Sequence, residues 1–214
     1  MPLYKTIAVD AHTEIAIWEV LEPETQLQEG IELSPPCQQR FNGMKSEMHR
    51  RAFLSIRHLM ARYGLVDRDL RYDAYGKPHL RNGKRISITH SHQFTAIMIG
   101  SQRDVGIDIE KQRDKILRIA HKFTPVHEYR TMANTAALVR KLTIVWGAKE
   151  ALYKIYGKRK LSFLKHIDVS DFMFDDGGTR ATISIGGQVR SYEVHFLEFE
   201  GFTCVYAYGD NERN

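Results

Sequence analysis

Apolar residues recur with two different periods along this chain, and the switches between them outline its elements. Leu3 to Asp10 and Thr13 to Leu21 read as two strands, the second rich in β-branched and aromatic residues. Ser34-Pro35-Pro36 reads as a stop. From Gln38 to Tyr63 the residues Phe41, Met44, Met48, Ala52, Ile56, Leu59 and Tyr63 return at three- and four-residue spacing, which predicts one long amphipathic helix ended by Gly64. Leu70 to Asp73, a turn at Gly76-Lys77-Pro78, and the runs Ile86 to Thr89, Phe94 to Ile99 and Val105 to Glu110 predict a meander of strands. Helical spacing resumes over Asp114 to Phe123. Thr124-Pro125 predicts a further helix start, an N-cap followed by proline. A second long helix fits Ala136 to Tyr156, with Leu138, Leu142, Val145, Ala148, Leu152 and Ile155 as its buried face. The tail from Ile167 to Tyr208 alternates around Gly186-Gly187 and reads as strands and hairpins. Strands, helix, strands, helices, strands is an α+β order with mainly antiparallel sheet, and both halves run from strands into one long helix.

Composition narrows the class. The 214 residues are 43% hydrophobic and 27% charged, typical of a soluble globular protein, with 31 Lys plus Arg against 26 Asp plus Glu and a formal charge of +5. A basic surplus suits an anionic partner. Cys37 and Cys204 stand far apart with no neighbouring ligand at metal spacing, so neither a disulfide framework nor a zinc site is expected. No signal peptide and no run long enough to span a bilayer is evident, which gives the expectation of a cytoplasmic protein.

Five short segments carry candidate chemistry. In Val105-Gly106-Ile107-Asp108-Ile109-Glu110, strand alternation sends Val105, Ile107 and Ile109 to the core and puts Asp108 and Glu110 side by side on the other face, with Gly106 leaving room there for a ligand. Adjacent carboxylates repel unless a cation lies between them, and a hard cation such as magnesium fits oxygen donors. On the second long helix Trp146, Glu150 and Lys154 share a stripe, so Glu150 could add a carboxylate or accept a proton and Lys154 could neutralise phosphate. Ser87-Ile88-Thr89-His90-Ser91-His92, the turn Tyr75-Gly76-Lys77-Pro78, and His49-Arg50 offer further groups for an anion. Taken singly, each has an ordinary structural explanation: a surface ion pair, a turn, a solvated helix face.

Together and in this order, His-Arg, Gly-Lys-Pro, Thr-His-Ser, Gly-Ile-Asp-Ile-Glu and Trp-Gly-Ala-Lys-Glu-Ala-Leu-Tyr-Lys resemble the 4′-phosphopantetheinyl transferase superfamily, over roughly Arg40 to Lys165. The length resembles its Sfp-type branch. That resemblance implies a pseudo-twofold fold of two similar halves, 1–103 and 104–214, each an antiparallel sheet with a long helix, and an active site between them. It implies transfer of the 4′-phosphopantetheine group of coenzyme A to a serine of an acyl or peptidyl carrier protein. Asp108, Glu110 and Glu150 would bind Mg2+, and Glu150 and Lys154 would be the catalytic pair. Arg50 would contact the 3′-phosphate, Tyr75, Gly76, Lys77 and Pro78 the adenine, and Thr89, His90, Ser91 and Lys111 the pyrophosphate. Thr89 stands where the family more often has serine, and Ser34 to Lys45 offers only Arg40 and Lys45 as cations. The basic segment with Arg113, Lys115, Arg118, Lys122, Phe123, Arg130 and Met132 would face the acidic carrier. A monomer is expected, with no nucleic-acid or membrane partner. The alternatives are a coenzyme A- or carrier-binding relative without transfer activity and, from the basic surplus, a nucleic-acid module, for which no basic stripe with interleaved aromatics is evident.

Overall fold

A computed structural model describes residues 3–125 and 134–209. The chain is α+β with antiparallel sheets and divides into two compact units, Met1–Gln102 and Arg103–Asn214. No helix among the described residues is long and apolar enough to cross a membrane.

In the first unit, β1 (Leu3–Asp10), β2 (Thr13–Glu19), β5 (Arg85–Ser91) and β6 (Phe94–Gly100) form a sheet in the order β1-β2-β6-β5. Ile15 to Trp18 and Phe94 to Ile99 are buried along their whole length, which suits the two central strands. Helices α1 (Glu24–Gln28), α2 (Pro35–Asn42) and α3 (Glu47–Ala61) accompany this sheet, with β3 (Leu70–Tyr72) and β4 (Pro78–Leu80) as a separate ribbon. Leu54, Ile56, Leu59 and Met60 of α3 join Trp18, Val20 and Ile97 in one core.

Two expectations are corrected here. The long helix expected from Gln38 to Tyr63 is two helices, α2 and α3. The break lies at Gly43 to Ser46, where Ser46 takes an extended N-cap conformation and the Arg50 guanidinium donates to the Met44 and Lys45 carbonyls at 2.9 and 3.4 Å. Met48, one of the residues of the expected apolar stripe, is 37% exposed. Ser34-Pro35-Pro36 starts a helix instead of stopping the chain, because prolines at the first two helical positions lose no intrahelical bond. Ser34 instead donates its N–H and hydroxyl to Asp67, which also accepts from the buried Arg57.

In the second unit, β7 (Val105–Lys111), β8 (Ile167–Val169), β9 (Gly178–Ile185), β10 (Gln188–Phe199) and β11 (Phe202–Gly209) form a sheet in the order β7-β11-β10-β9-β8. The expected meander is therefore divided: β5 and β6 pair in the first sheet, while β7 pairs with β11 here. Gly186-Gly187, with φ of +59° and +77°, makes the two-residue turn between β9 and β10.

Helix α5 (Thr135–Tyr156) lies against β7 and β11, with α4 (Lys115–Phe123) and the single-turn α6 (Phe163–His166) beside it. Its ends follow from sequence: the Asn134 side chain accepts from the Ala137 N–H, and Gly157 closes it in the left-handed conformation. The expected apolar face is buried, apart from the half-buried Leu138, but so are Lys141, Thr143, Gly147 and Lys149. The helix start expected at Thr124-Pro125 runs into residues outside the described ones.

Candidate active site

The site is built where β7 meets α5, and two glycines set how closely they approach. An added Cβ at Gly106 would lie 2.1 Å from the Ala151 carbonyl oxygen, and one at Gly147 would lie 2.7 Å from Val205 Cγ2. The space beside Gly106, expected to receive a ligand, is therefore filled by the backbone of α5. The consequence is a short distance between two sets of charged groups. Strand alternation puts Gly106, Asp108 and Glu110 on the face toward α5, while Val105, Ile107 and Ile109 are buried on the other.

Asp108 is 6% exposed. Lys154 Nζ donates to Asp108 Oδ1 at 2.8 Å and to the Ile107 carbonyl at 2.7 Å, which ties the last turn of α5 to the middle of β7. Glu110 and Glu150 are half-buried. Burial, reinforced by the charge of Asp108, pushes the Glu110 carboxyl up to about 6, against a hydrogen bond from Trp146 and the charges of Arg113 and Lys154. Burial and Asp108 push Glu150 up to about 7, with a further contribution from Glu110 and opposition from Lys154. The three carboxylates feel one another, and one ammonium partly compensates them. Among the described residues no three His, Cys, Asp or Glu side chains converge in a ligating arrangement.

Lys111, the last residue of β7, falls by alternation on the face opposite Glu110, with Nζ 5.7 Å from the Phe202 ring centre. In the α4 segment, Lys115, Arg118 and Lys122 lie on the helix and Phe123 is buried. Arg130 and Met132 lie outside the described residues.

The remaining candidates belong to the first unit. Arg50 pairs with Glu24 at 2.7 Å besides holding the two carbonyls, so an incoming phosphate would meet a guanidinium already engaged by a carboxylate. The Tyr75 to Pro78 turn is organised by Asp73. Its Oδ1 accepts the N–H groups of Tyr75 and Lys77 at 2.8 and 3.0 Å, and Gly76 N–H donates to the Asp73 carbonyl. The hydrogen bond from His79, aided by these backbone donors, holds Asp73 down to about 2. The Lys77 carbonyl in turn accepts the Asp73 N–H at 3.1 Å, so the backbone of this turn is largely engaged with Asp73. On the edge strand β5, Thr89 is buried and His90 is exposed, its ring 5.7 Å from that of His49. Alternation turns His90 away from Thr89 and Ser91, so the three do not face one way.

Comparison with known proteins shows what part of the chain is similar to. Residues 104–207 match the model described as the 4′-phosphopantetheinyl transferase superfamily. A curated relative, the 4′-phosphopantetheinyl transferase gsp of Aneurinibacillus migulanus, is 28% identical over 137 residues, which is 63% of this chain and 55% of that one. The matched stretch thus spans little more than half of the relative's length. The superfamily match begins just before β7 and ends within β11, so it contains Asp108, Glu110, Glu150 and Lys154.

One residue of the matched segment was given no role by sequence reasoning. Lys149 is fully buried and donates to the carbonyls of Phe123, Phe163 and Ile167 at 2.7, 3.1 and 2.9 Å. A lysine directly before a glutamate on a helix looks like a solvated charge. The signal available was its position one turn before Tyr153 and one after Val145, beside the apolar face.

Proposed function

We propose that the chain is a 4′-phosphopantetheinyl transferase of the Sfp type, which moves the phosphopantetheine arm of coenzyme A to a serine of an apo acyl or peptidyl carrier protein and releases adenosine 3′,5′-bisphosphate. The observation that carries this reading is the electrostatically coupled group Asp108, Glu110, Glu150 and Lys154, drawn together by the Gly106 contact within the segment that matches the superfamily.

The donor set suits magnesium: burial and the charge of Asp108 raise both Glu110 and Glu150, and an oxygen-seeking divalent ion relieves that repulsion. Asp108, Glu110 and Glu150, which do not converge on one point as they stand, would turn together to hold it, and when bound it would supply positive charge to phosphate oxygens. The chain's own residues do the rest. Glu150, on the stripe of α5 that faces Asp108 and Glu110, accepts the proton of the carrier serine. The serine oxygen forms a bond to the β-phosphorus of coenzyme A, and the bond from that phosphorus to the bridging oxygen breaks. The leaving bisphosphate keeps the electron pair. Lys154, its direction fixed by Asp108 and the Ile107 carbonyl, stabilises charge on the pyrophosphate as it develops. In this reading Arg50, Tyr75, Gly76, Lys77, Pro78, Thr89, His90, Ser91 and Lys111 remain candidates for coenzyme A, with Arg50 released from Glu24 to take the 3′-phosphate.

The test is incubation with coenzyme A, magnesium and several apo carrier proteins, with intact mass as the readout. A carrier should gain one phosphopantetheine, and the gain should vanish with EDTA, with Glu150→Gln, or with the carrier serine replaced by alanine. Coenzyme A binding without any mass gain, on carriers that another transferase modifies, would favour a binding relative.

A further inference from the structure

The segment that follows α5, Gly157-Lys158-Arg159-Lys160-Leu161-Ser162-Phe163-Leu164-Lys165-His166, carries four cations, Lys158, Arg159, Lys160 and Lys165, and no carboxylate. All four are exposed, and among the described residues none of them pairs with Asp or Glu. The backbone beneath them is anchored. Leu161 is buried in the core of the second unit. The Lys165 N–H donates to Ser162 Oγ at 3.3 Å, the Ser162 N–H donates to His166 Nδ1 at 2.9 Å, and the Phe163 carbonyl accepts from Lys149 at 3.1 Å. The cations therefore stand on a fixed base, not on a loose tail. Lys160 bends that base with φ of +71°, a left-handed conformation that glycine takes at no steric cost and lysine does not.

Two ring contacts place this segment beside the proposed proton acceptor. The Phe163 ring lies 5.4 Å from the Trp146 indole and 5.7 Å from the Tyr153 ring, centre to centre. Trp146, Glu150 and Tyr153 succeed one another by four and three residues on one side of α5, so α6 stands against the stretch of helix that carries Glu150. Next to Phe163, Leu164 turns an apolar side chain to solvent, 39% exposed, with Lys165 after it and Lys160 before it. α6 also packs against α4, so the patch adjoins the basic α4 segment. An exposed leucine among unpaired cations suits a protein surface of opposite charge that carries an apolar side chain. A nucleic acid would engage the cations through its phosphates and leave Leu164 without a role.

We propose that Lys158, Arg159, Lys160 and Lys165, with Leu164 among them, form a docking surface for an acidic carrier protein. The identity of the partner rests on the transfer reaction proposed above. The cations draw the carrier in and Leu164 supplies the apolar contact, next to the helix stretch where the carrier serine gives up its proton.

The test reads binding without transfer. The probe is an apo acyl carrier protein of net negative charge whose serine is replaced by alanine, titrated by calorimetry at low and moderate salt. Lys160→Gly should weaken binding about two- to five-fold, the worth of one exposed ion pair, while Tm holds or rises because glycine suits the bend. Lys158→Glu with Lys165→Glu should weaken it at least about ten-fold and flatten its salt dependence. Leu164→Ser should weaken it and leave the salt dependence as it was. In transfer assays the same variants should raise KM for the carrier, with KM for coenzyme A and kcat unchanged. Lys84→Glu, at an exposed lysine of the first unit, is the control for net charge and should bind as the unaltered chain does. Unaltered binding in the three surface variants would overturn the proposal. So would an equal loss in Lys84→Glu, a loss that appears only where Tm falls, or no binding of acidic carriers by the unaltered chain. A DNA duplex that binds through these residues while no carrier does would give the surface to nucleic acid instead. If carriers bind here but none is ever modified, the transfer reaction fails and the docking surface stands. If every variant binds and modifies carriers normally, the docking surface fails and the reaction stands.

Discussion

Gly106→Ala tests how the site is assembled. The added Cβ would stand 2.1 Å from the Ala151 carbonyl oxygen, 2.8 Å from its carbon and 3.0 Å from Ile155 Cγ1. A carbon and a carbonyl oxygen come no closer than about 3.3 Å, so β7 and α5 must part by about 1 Å. Both crowded atoms at Ala151 are backbone, and no side-chain rotation relieves them. Overpacking of this kind costs about 1–3 kcal/mol, and in a chain of this length each kcal/mol lowers Tm by about 2–4 °C, so a fall of roughly 2–12 °C is expected. The same displacement separates Asp108 and Glu110 from Glu150 and Lys154, and a misplacement near 1 Å costs about a hundred-fold in rate. Thermal unfolding by circular dichroism and carrier modification by mass spectrometry read the two effects. Gly43→Ala is the control: φ there is negative and the nearest atoms are 3.5 Å away, so Tm should hold. A Gly106→Ala chain with unaltered Tm and full transfer would refute the close approach as the basis of the site.

Further expectations follow from the same geometry. Glu150 is raised from 4.5 to about 7, so the folded state holds its proton after the unfolded chain has released it; stability falls as pH rises through that window and the cost is complete above it. Without metal, Glu150→Gln should therefore raise Tm at pH 8 and change it little at pH 4, and with magnesium present it should abolish transfer; equal effects on Tm at both pH values would contradict this. Magnesium should raise Tm of the unaltered chain and do so less in Asp108→Asn, read by a titration of the thermal shift. Glu24→Ala frees Arg50 from its ion pair and should lower KM for coenzyme A but not for 3′-dephospho-coenzyme A; parallel changes for both substrates would remove Arg50 from the 3′-phosphate.

The sequence was most informative where local chemistry decides structure. Helix α5 is bounded by Asn134 and Gly157, residues whose preferences are local, and the pairing of Asp108 with Glu110 on one face follows from strand alternation alone. It was least informative where a distant group decides. The break between α2 and α3 depends on Arg50 reaching carbonyls five and six residues back, and an unbroken apolar stripe concealed it. Gly106 reads equally as room for a ligand or room for a helix, and only packing distinguishes them. Lys149 is legible as a charge, whereas its three carbonyl partners lie 14, 18 and 26 residues away, beyond any helical or strand period.

The central claim is that Asp108, Glu110, Glu150 and Lys154 perform transfer from coenzyme A to a carrier serine. Its most direct test is to quantify both products of one reaction, the modified carrier by intact mass and adenosine 3′,5′-bisphosphate by chromatography. The account predicts one bisphosphate for each serine modified, with both lost in Glu150→Gln and in Lys154→Met. Bisphosphate formed without modified carrier, or modification that persists in both variants, would contradict it.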